Sequence, residues 1–160
     1  VQFIKDSILD ISDEQLELTY KTNVFSYFYM IKSVLPHLKE GDSIINTASI
    51  TAYNGEKKLV DYSSTKGAVV SLTRSLSLSL ADKKIRVNAV APGPVWTPLI
   101  PASYSANEVK TFGTYTSKVP IERAGQPFEI APAYLYLASD DGRYVSGQVI
   151  HVNGGAITES

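Results

Sequence analysis

The chain has 160 residues, enough for one ordinary domain, and 44% of them are apolar, as in a typical globular protein. Its 15 basic and 16 acidic side chains leave a net charge of -1 without a basic stripe, which argues against a nucleic-acid-binding protein. Because cysteine is absent, disulfides and thiolate metal sites are excluded, and we predict no metal site. No run reaches the roughly 20 apolar residues of a membrane span, and the first residues do not read as a signal peptide, so we expect a soluble, cytoplasmic protein.

The first predicted element is a long helix from Ser12 to about Lys39. Ser12 and Gln15 have the spacing of a capping box, in which each side chain binds the other residue's free backbone amide. Apolar residues then recur every three or four positions and predict one buried face: Leu16, Tyr20, Val24, Tyr27, Ile31, Val34, Leu35 and Leu38. Pro36 lies near the end, and we expect Gly41 to terminate the helix.

Short strands alternate with helices in the rest of the chain. The predicted strands are 43–46, 85–90 and 147–152, and the predicted helices are 62–81, 105–117 and 127–137. Four prolines within 91–101 predict a loop there without regular helix or sheet. Pro132 implies that the last helix starts later or bends. Strands joined by helical crossovers pair in parallel, so the predicted fold class is α/β.

Tyr62 and Lys66 form the first candidate catalytic pair. Their four-residue spacing places a phenol and an ammonium on one face of a helix, one turn apart. A free tyrosine has a pKa of about 10, and a neighbouring lysine cation lowers it towards the range that acid-base catalysis uses. The same pattern also occurs at ordinary exposed helix starts, which is the alternative.

Two further polar residues are candidates for the same site. Ser49 follows a predicted strand, at the end of a parallel sheet where ligands of α/β proteins bind, and its hydroxyl can hydrogen-bond a carbonyl or alcohol oxygen. The alternative is a serine that only shapes the loop. Asn23 lies beside the apolar Val24 and Phe25 in the first helix, which predicts a buried amide; the alternative is that it satisfies local backbone groups.

Five segments resemble the short-chain dehydrogenase/reductase family in order and spacing. They are TNVFSYFYM around Asn23, IINTASITAY around Ser49, YSSTKGAV from Tyr62, IRVNAVAPGPVWTPL and VSGQVIHVNGG. Within the family, the chain is similar to bacterial members of the glucose-dehydrogenase and general-stress type. The resemblance implies that residues 1–160 are one partial domain, the C-terminal part of a Rossmann-type doubly wound parallel sheet with about three strands.

The resemblance implies an NAD- or NADP-dependent oxidoreductase that interconverts an alcohol and a ketone or aldehyde. Tyr62 is then the general acid/base, and Lys66 lowers its pKa and binds the nicotinamide ribose. Ser49 holds the substrate oxygen, and Asn23 supports the site through a water that leads to Lys66. Four residues after the sixth family strand are expected against the nicotinamide: Pro92, Gly93, Val95 and Thr97. The alternative is a rigid turn that binds no ligand. Glycine at position 93 would allow the backbone to approach closely.

The chain also departs from the family pattern. The glycine-rich T-G-x-x-x-G-x-G loop and the N-N-A-G segment do not occur in it, so we expect an N-terminal half that precedes these 160 residues. The alternative is a truncated, non-catalytic fragment that acts as an oligomerisation or interaction module. Lys84 stands where a glycine often precedes the sixth strand, Asn153 replaces an aspartate, and Ala48 replaces a second serine.

In the family, the segment corresponding to 99–117 determines the substrate. Here it contains Tyr104, Phe112 and Tyr115, which line an apolar pocket or belong to the core. The resemblance further implies a small-molecule substrate and a homo-oligomer, most often a tetramer, with neither nucleic acid nor membrane as a partner.

Overall fold

A parallel sheet forms the centre of the computed structural model, which describes residues 1–114 and 119–156. Three strands pair in the order β1 (Ser43–Thr47), β2 (Arg86–Pro92) and β3 (Val149–Val152). Both pairings are parallel, and helices cover both faces. The predicted α/β class with three parallel strands is therefore confirmed.

The helices precede β1 or connect successive strands. Along the chain they are α1 (Asp13–Tyr20), a π-helical turn (Lys21–Phe25), α2 (Ser26–Val34), α3 (Thr51–Asn54), α4 (Val60–Ser79), α5 (Leu99–Ser103), α6 (Ala106–Lys110) and α7 (Pro127–Ala138), with 3-10 turns at Ile8–Asp10, Leu35–His37, Ala81–Lys83 and Asp140–Gly142. In the part of the chain that the structure describes, no helix combines the length and apolarity that crossing a bilayer requires.

The first predicted helix starts as expected but lacks a complete capping box. Ser12 Oγ accepts the Gln15 N–H at 3.2 Å, as predicted. The Gln15 side chain instead donates to Asp61 Oδ2 at 3.0 Å, and Asp61 is buried at the start of α4. A hydrogen bond to a carboxylate is charge-assisted and stronger than the neutral bond of a capping box, so the tertiary contact prevails over the local one.

Only part of the predicted apolar face of this helix is buried. Val24 is 7% exposed, whereas Leu16 and Val34 are each 41% exposed. The π-helical turn Lys21–Phe25 separates α1 from α2 and widens one turn of the helix. Spacing by three and four residues therefore does not keep one face aligned through both helices.

Prolines occupy regular structure where the sequence predicts a loop. Pro92 ends β2, where its carbonyl accepts the Ile50 N–H at 3.0 Å and its missing N–H is not needed. Pro101 is the third residue of α5, within the first turn, where an N–H has no partner inside the helix. Pro132 lies inside α7, which nevertheless starts at Pro127 as the sequence indicates.

Alternate residues of β2 face two different helix layers. Ala89 and Ala91 pack on one side with Val69 of α4. Val90 points to the other side and packs with Leu137 of α7. This alternation follows from the two-residue period of a strand, and the small alanines let α4 lie close to the sheet. The sheet therefore holds α4, and with it Tyr62 and Lys66, in a defined position.

Lys84 preserves the turn before β2 although it replaces a glycine. Its φ of 54° lies in the left-handed region, which costs a non-glycine residue about 1 kcal/mol. The Lys84 N–H donates to Ala81 O at 2.9 Å, and its ammonium forms an exposed ion pair with Glu40 at 2.7 Å. A lysine therefore adopts the left-handed conformation at this turn, which glycine adopts more readily.

Asn88 provides a test of how β2 is joined to the segment before β3. Its side chain is 0% exposed, donates to Val145 O at 2.8 Å and accepts the Gln148 N–H at 3.0 Å. Asn88→Ala leaves both backbone groups without this partner, so we expect the free energy of unfolding to fall by about 2 kcal/mol in urea denaturation. Asn107→Ala on the exposed surface of α6 is the control, with a change below about 0.5 kcal/mol. Equal effects of the two variants would contradict the role assigned to Asn88.

Candidate active site

The carboxyl ends of β1 and β2 border a cleft of about 1040 Å³. Ala48 N–H donates to Val90 O at 2.8 Å and Ile50 N–H donates to Pro92 O at 3.0 Å, so parallel pairing continues past the end of β1. The loop that carries Ser49 therefore lies beside the loop that follows β2. Open α/β sheets bind ligands at this edge.

All of the site residues predicted from the sequence border this cleft. They are Asn23, Ser49, Tyr62, Lys66, Pro92, Gly93, Val95 and Thr97. Tyr104 and Phe112 also border it, with ring centroids 5.5 Å apart in a tilted arrangement, while Tyr115 lies outside the described residues. The fold thus brings the predicted residues together, and the role of each one stays a prediction.

Tyr62 lies in the first turn of α4 and Lys66 one turn later, as their spacing predicts. Lys66 Nζ lies 5.6 Å from the centre of the Tyr62 ring and donates to Thr47 O at 2.9 Å. The Lys66 side chain is among the buried residues. Because burial penalises the charged amine, the pKa of Lys66 is lowered to about 8.

The pKa of Tyr62 is raised above its ordinary value, opposite to the shift that the sequence predicts. Burial of the phenol is the largest cause, the hydrogen bond with Ser49 acts in the opposite direction, and the phenols of Tyr27 and Tyr104 raise the pKa further. The expectation assigned the dominant effect to the Lys66 cation, but the same burial disfavours that cation. Tyr62 is therefore protonated at neutral pH and can act as a proton donor.

Ser49 Oγ is held by two donors that belong to one residue. Thr51 N–H donates to it at 3.2 Å and Thr51 Oγ1 donates at 3.1 Å. Ser49 is 7% exposed, and its carbonyl accepts the Ala52 N–H at 3.0 Å at the start of α3. No sequence pattern singles out Thr51, because hydroxyl residues are common in loops and turns.

Asn23 is buried in the π-helical turn, as the neighbouring apolar residues predict. Its Nδ2 donates to Thr65 Oγ1 of α4 at 3.3 Å and to Val1 O at 2.7 Å. Thr65 immediately precedes Lys66, so the Asn23 amide connects the first helix to the part of α4 that carries the candidate residues Tyr62 and Lys66. The water-mediated link from Asn23 to Lys66 stays a prediction.

The loop after β2 requires glycine at position 93 for packing. A Cβ there would lie 2.7 Å from Asn153 Cα, closer than folded backbones tolerate. The Gly93 N–H donates to Val152 O at 2.9 Å, which holds this loop against the end of β3. Packing against Asn153 is therefore sufficient to explain the glycine at position 93. The close approach of this backbone to a nicotinamide stays a prediction.

Sequence patterns did not predict two groups that contact the candidate pair Tyr62 and Lys66. The Thr47 carbonyl accepts hydrogen bonds from the Tyr27 hydroxyl, at 3.0 Å, and from Lys66 Nζ. Every residue has a backbone carbonyl, so the residue type at position 47 does not indicate this acceptor. Asp61, 3% exposed, accepts the Tyr62 N–H at 2.8 Å and Thr19 Oγ1 at 3.0 Å. An acidic residue immediately before a predicted helix, as Asp61 is here, is a recognisable signal for such an anchor.

Comparison of the sequence with known proteins gives close relatives. A family model described as enoyl-(acyl carrier protein) reductase matches residues 1–157. An uncharacterized oxidoreductase of Bacillus subtilis, YhxC, is 65% identical over 156 residues, which cover 98% of this chain and 54% of that protein. The chain therefore spans about half the length of the curated relatives it matches.

Comparison of the structure gives the same fold. A crystal structure of a short-chain dehydrogenase/reductase, glucose/ribitol dehydrogenase, from Brucella melitensis has a TM-score of 0.86 at 37% identity, over 99% of this chain and 63% of its own. A 3-ketoacyl-(acyl-carrier-protein) reductase from the same organism, solved in complex with NADH, has a TM-score of 0.85 at 29% identity, over 98% of this chain and 63% of its own. The predicted Rossmann-type fold is confirmed.

The burial of Lys66 predicts a specific dependence of stability on pH. Its folded-state pKa of about 8 lies below the ordinary 10.5, so between these values the unfolded chain binds more protons and stability rises with pH. At pH 7 the buried charge costs on the order of 3 kcal/mol. We therefore expect Lys66→Met to be more stable than the parent near pH 7, in denaturation measured across a pH series.

The expected advantage of Lys66→Met shrinks as the pH rises from about 8 towards 10.5, because the parent then loses the buried charge. Lys110→Met, on the exposed surface of α6, is the control and should show no such change. An advantage of Lys66→Met that stays constant with pH would show that burial does not penalise the Lys66 cation.

Proposed function

Because this chain belongs to the short-chain dehydrogenase/reductase family, we propose that the protein containing it is an NAD- or NADP-dependent oxidoreductase that interconverts an alcohol and a ketone or aldehyde. The observation that carries the proposal is that Ser49, Tyr62 and Lys66 border one cleft at the carboxyl end of the sheet. The oxidoreductase names of the relatives support the reaction class.

The residues at the cleft fit the nicotinamide end of such a cofactor. Among the described contacts, Lys66 Nζ uses one donor on Thr47 O, which leaves donors for the ribose hydroxyls. Val95 and Gly125 form an isolated parallel β-bridge. Its two hydrogen bonds run from Gly125 N–H to Pro94 O and from Trp96 N–H to Gly125 O, so the bridge does not use the Val95 N–H. That amide can serve the carboxamide. When bound, NAD(P) supplies or accepts the hydride.

Tyr62 moves the proton in this proposal. In reduction its phenol donates a proton to the carbonyl oxygen, and in oxidation the phenolate takes the proton of the hydroxyl. Ser49 donates a hydrogen bond to the same substrate oxygen and holds it beside the phenol. The raised pKa of Tyr62 keeps the phenol protonated at neutral pH, as reduction requires.

The proposal extends to the substrate and assembly of the whole protein. Tyr104 and Phe112 would form an apolar wall for a small-molecule substrate, since both border the cleft. On the basis of the family resemblance, we also propose that the whole protein is a cytoplasmic homotetramer that binds neither nucleic acid nor a membrane.

A second candidate function is an oligomerisation or interaction module without catalysis. Large apolar side chains on the helices favour it: Phe28, Met30 and Leu78 are 46%, 64% and 80% exposed. Such residues can drive association with another protein surface. The oxidoreductase requires a phosphate-binding segment in the same protein as these 160 residues, whereas the module does not.

Replacing the proposed acid/base tests the catalytic function. Tyr62→Phe removes the transferable proton and keeps the ring, so we expect turnover to fall by at least about 100-fold, with NAD(P)H affinity little changed. Steady-state kinetics and cofactor titration by fluorescence measure the two quantities. Tyr144→Phe is the matched control, because Tyr144 is fully exposed at 102% and should keep parental activity. Near-parental turnover of Tyr62→Phe would exclude the role of Tyr62.

The intact mass of the purified native protein separates the two candidate functions. The 160 residues account for 17.4 kDa. We expect a mass near twice this value, because the relatives are about twice as long, together with binding of NADPH. A mass of 17.4 kDa without NADPH binding would favour the module instead.

A further inference from the structure

We propose that Thr51 is a positioning residue that commits the Ser49 hydroxyl to donating its hydrogen bond to the substrate oxygen. The inference rests on the proposed function, because it takes Ser49 to be the group that holds that oxygen. Thr51 acts through Ser49 and needs no contact of its own with the substrate.

The proposal starts from the hydrogen-bonding capacity of a hydroxyl group. A serine hydroxyl has one donor and two acceptor positions. Thr51 N–H at 3.2 Å and Thr51 Oγ1 at 3.1 Å both donate to Ser49 Oγ, so one residue fills both acceptor positions. The Ser49 O–H remains, and it can pair only with an acceptor.

This restriction suits the reaction in both directions. A carbonyl oxygen only accepts hydrogen bonds, and an alcohol oxygen that gives its proton to Tyr62 must accept one from another group. Ser49 and Tyr62 already share a hydrogen bond. With an open acceptor position, Ser49 could accept the phenol proton in that bond, which would hold this proton back from the substrate. Ser49 is 7% exposed, so bulk water does not readily fill an open position.

The Thr51 hydroxyl does not hold the local backbone. The short helix α3 begins with Asn54 N–H donating to Ile50 O at 3.1 Å and Gly55 N–H donating to Thr51 O at 3.1 Å. The contact from Thr51 N–H to Ser49 Oγ is a common turn feature, and it survives any replacement of the Thr51 side chain except proline. The hydroxyl therefore adds an interaction beyond the turn.

The test replaces the hydroxyl while keeping the shape. In the whole protein, Thr51→Val should lower kcat by about three- to tenfold, the effect of one hydrogen bond, with KM within about twofold of the parent. Thr51→Ser retains the hydroxyl and should restore kcat to within about twofold. Thr22→Val, an exposed threonine away from the cleft, is the matched control and should behave as the parent.

A double-mutant cycle separates action through Ser49 from a general structural effect. If Thr51 acts only through Ser49, Thr51→Val should cause no further loss of kcat in a Ser49→Ala background. An equal loss in both backgrounds, or parental kcat for Thr51→Val alone, would overturn the proposal.

Crystal structures of the parent and of Thr51→Val provide a readout that does not depend on activity. We expect Ser49 Oγ to change rotamer or to lie at a different distance from Tyr62 Oη in the variant, while α3 is unchanged. An unchanged Ser49 together with unchanged kcat would refute the positioning role. Absence of NAD(P)-dependent turnover in the parent would instead refute the proposed function, and the crystal structures would still decide whether the Thr51 hydroxyl orients Ser49.

Discussion

The parallel pairing of β1 with β2 is the constraint on which the cleft depends. Thr47 pairs with Val90, and the hydrogen bonds from the Ala48 and Ile50 amides extend this register beyond the strand. The two loops therefore leave the sheet side by side, and Ser49 lies at their junction. A slip of one residue would turn every strand side chain to the opposite face and would separate these loops, so core packing and site geometry are specified together.

Helix α4 links the core to Tyr62 and Lys66, the candidate catalytic pair. Near its middle, Thr73 accepts a hydrogen bond from the buried Asn46 of β1 at 2.9 Å, which fixes the helix along the sheet. At its start, Asp61 joins it to α1 by accepting from Thr19 and Gln15. Because both regions of α4 are anchored, Tyr62 has little freedom relative to Ser49. Polar contacts that are buried and fully paired confer this kind of positional precision.

Sequence patterns predicted those parts of the molecule that depend on local periodicity. The strands and α4 follow from the spacing of apolar residues, and the convergence of Ser49, Tyr62 and Lys66 follows from the topology of a parallel sheet. The capping box predicted at Ser12 was wrong in its second half: Ser12 accepts the Gln15 N–H as predicted, but the Gln15 side chain binds Asp61, which lies 46 residues away in sequence. Such competition between local and distant partners is decided by tertiary packing, which residue spacing does not encode.

The direction of the Tyr62 pKa shift shows why the environment of the pair matters more than its spacing. Burial acts against charge on both residues, raising the pKa of Tyr62 and lowering that of Lys66 to about 8. A phenolate therefore needs a group that favours its negative charge, and the hydrogen bond from Ser49 does so. The hydroxyl proposed to hold the substrate oxygen is thus also the one that favours the basic form of Tyr62. The hydroxyl has one hydrogen to donate, so Ser49 favours the phenolate until a substrate oxygen takes that hydrogen, and in both cases Ser49 must be oriented as a donor.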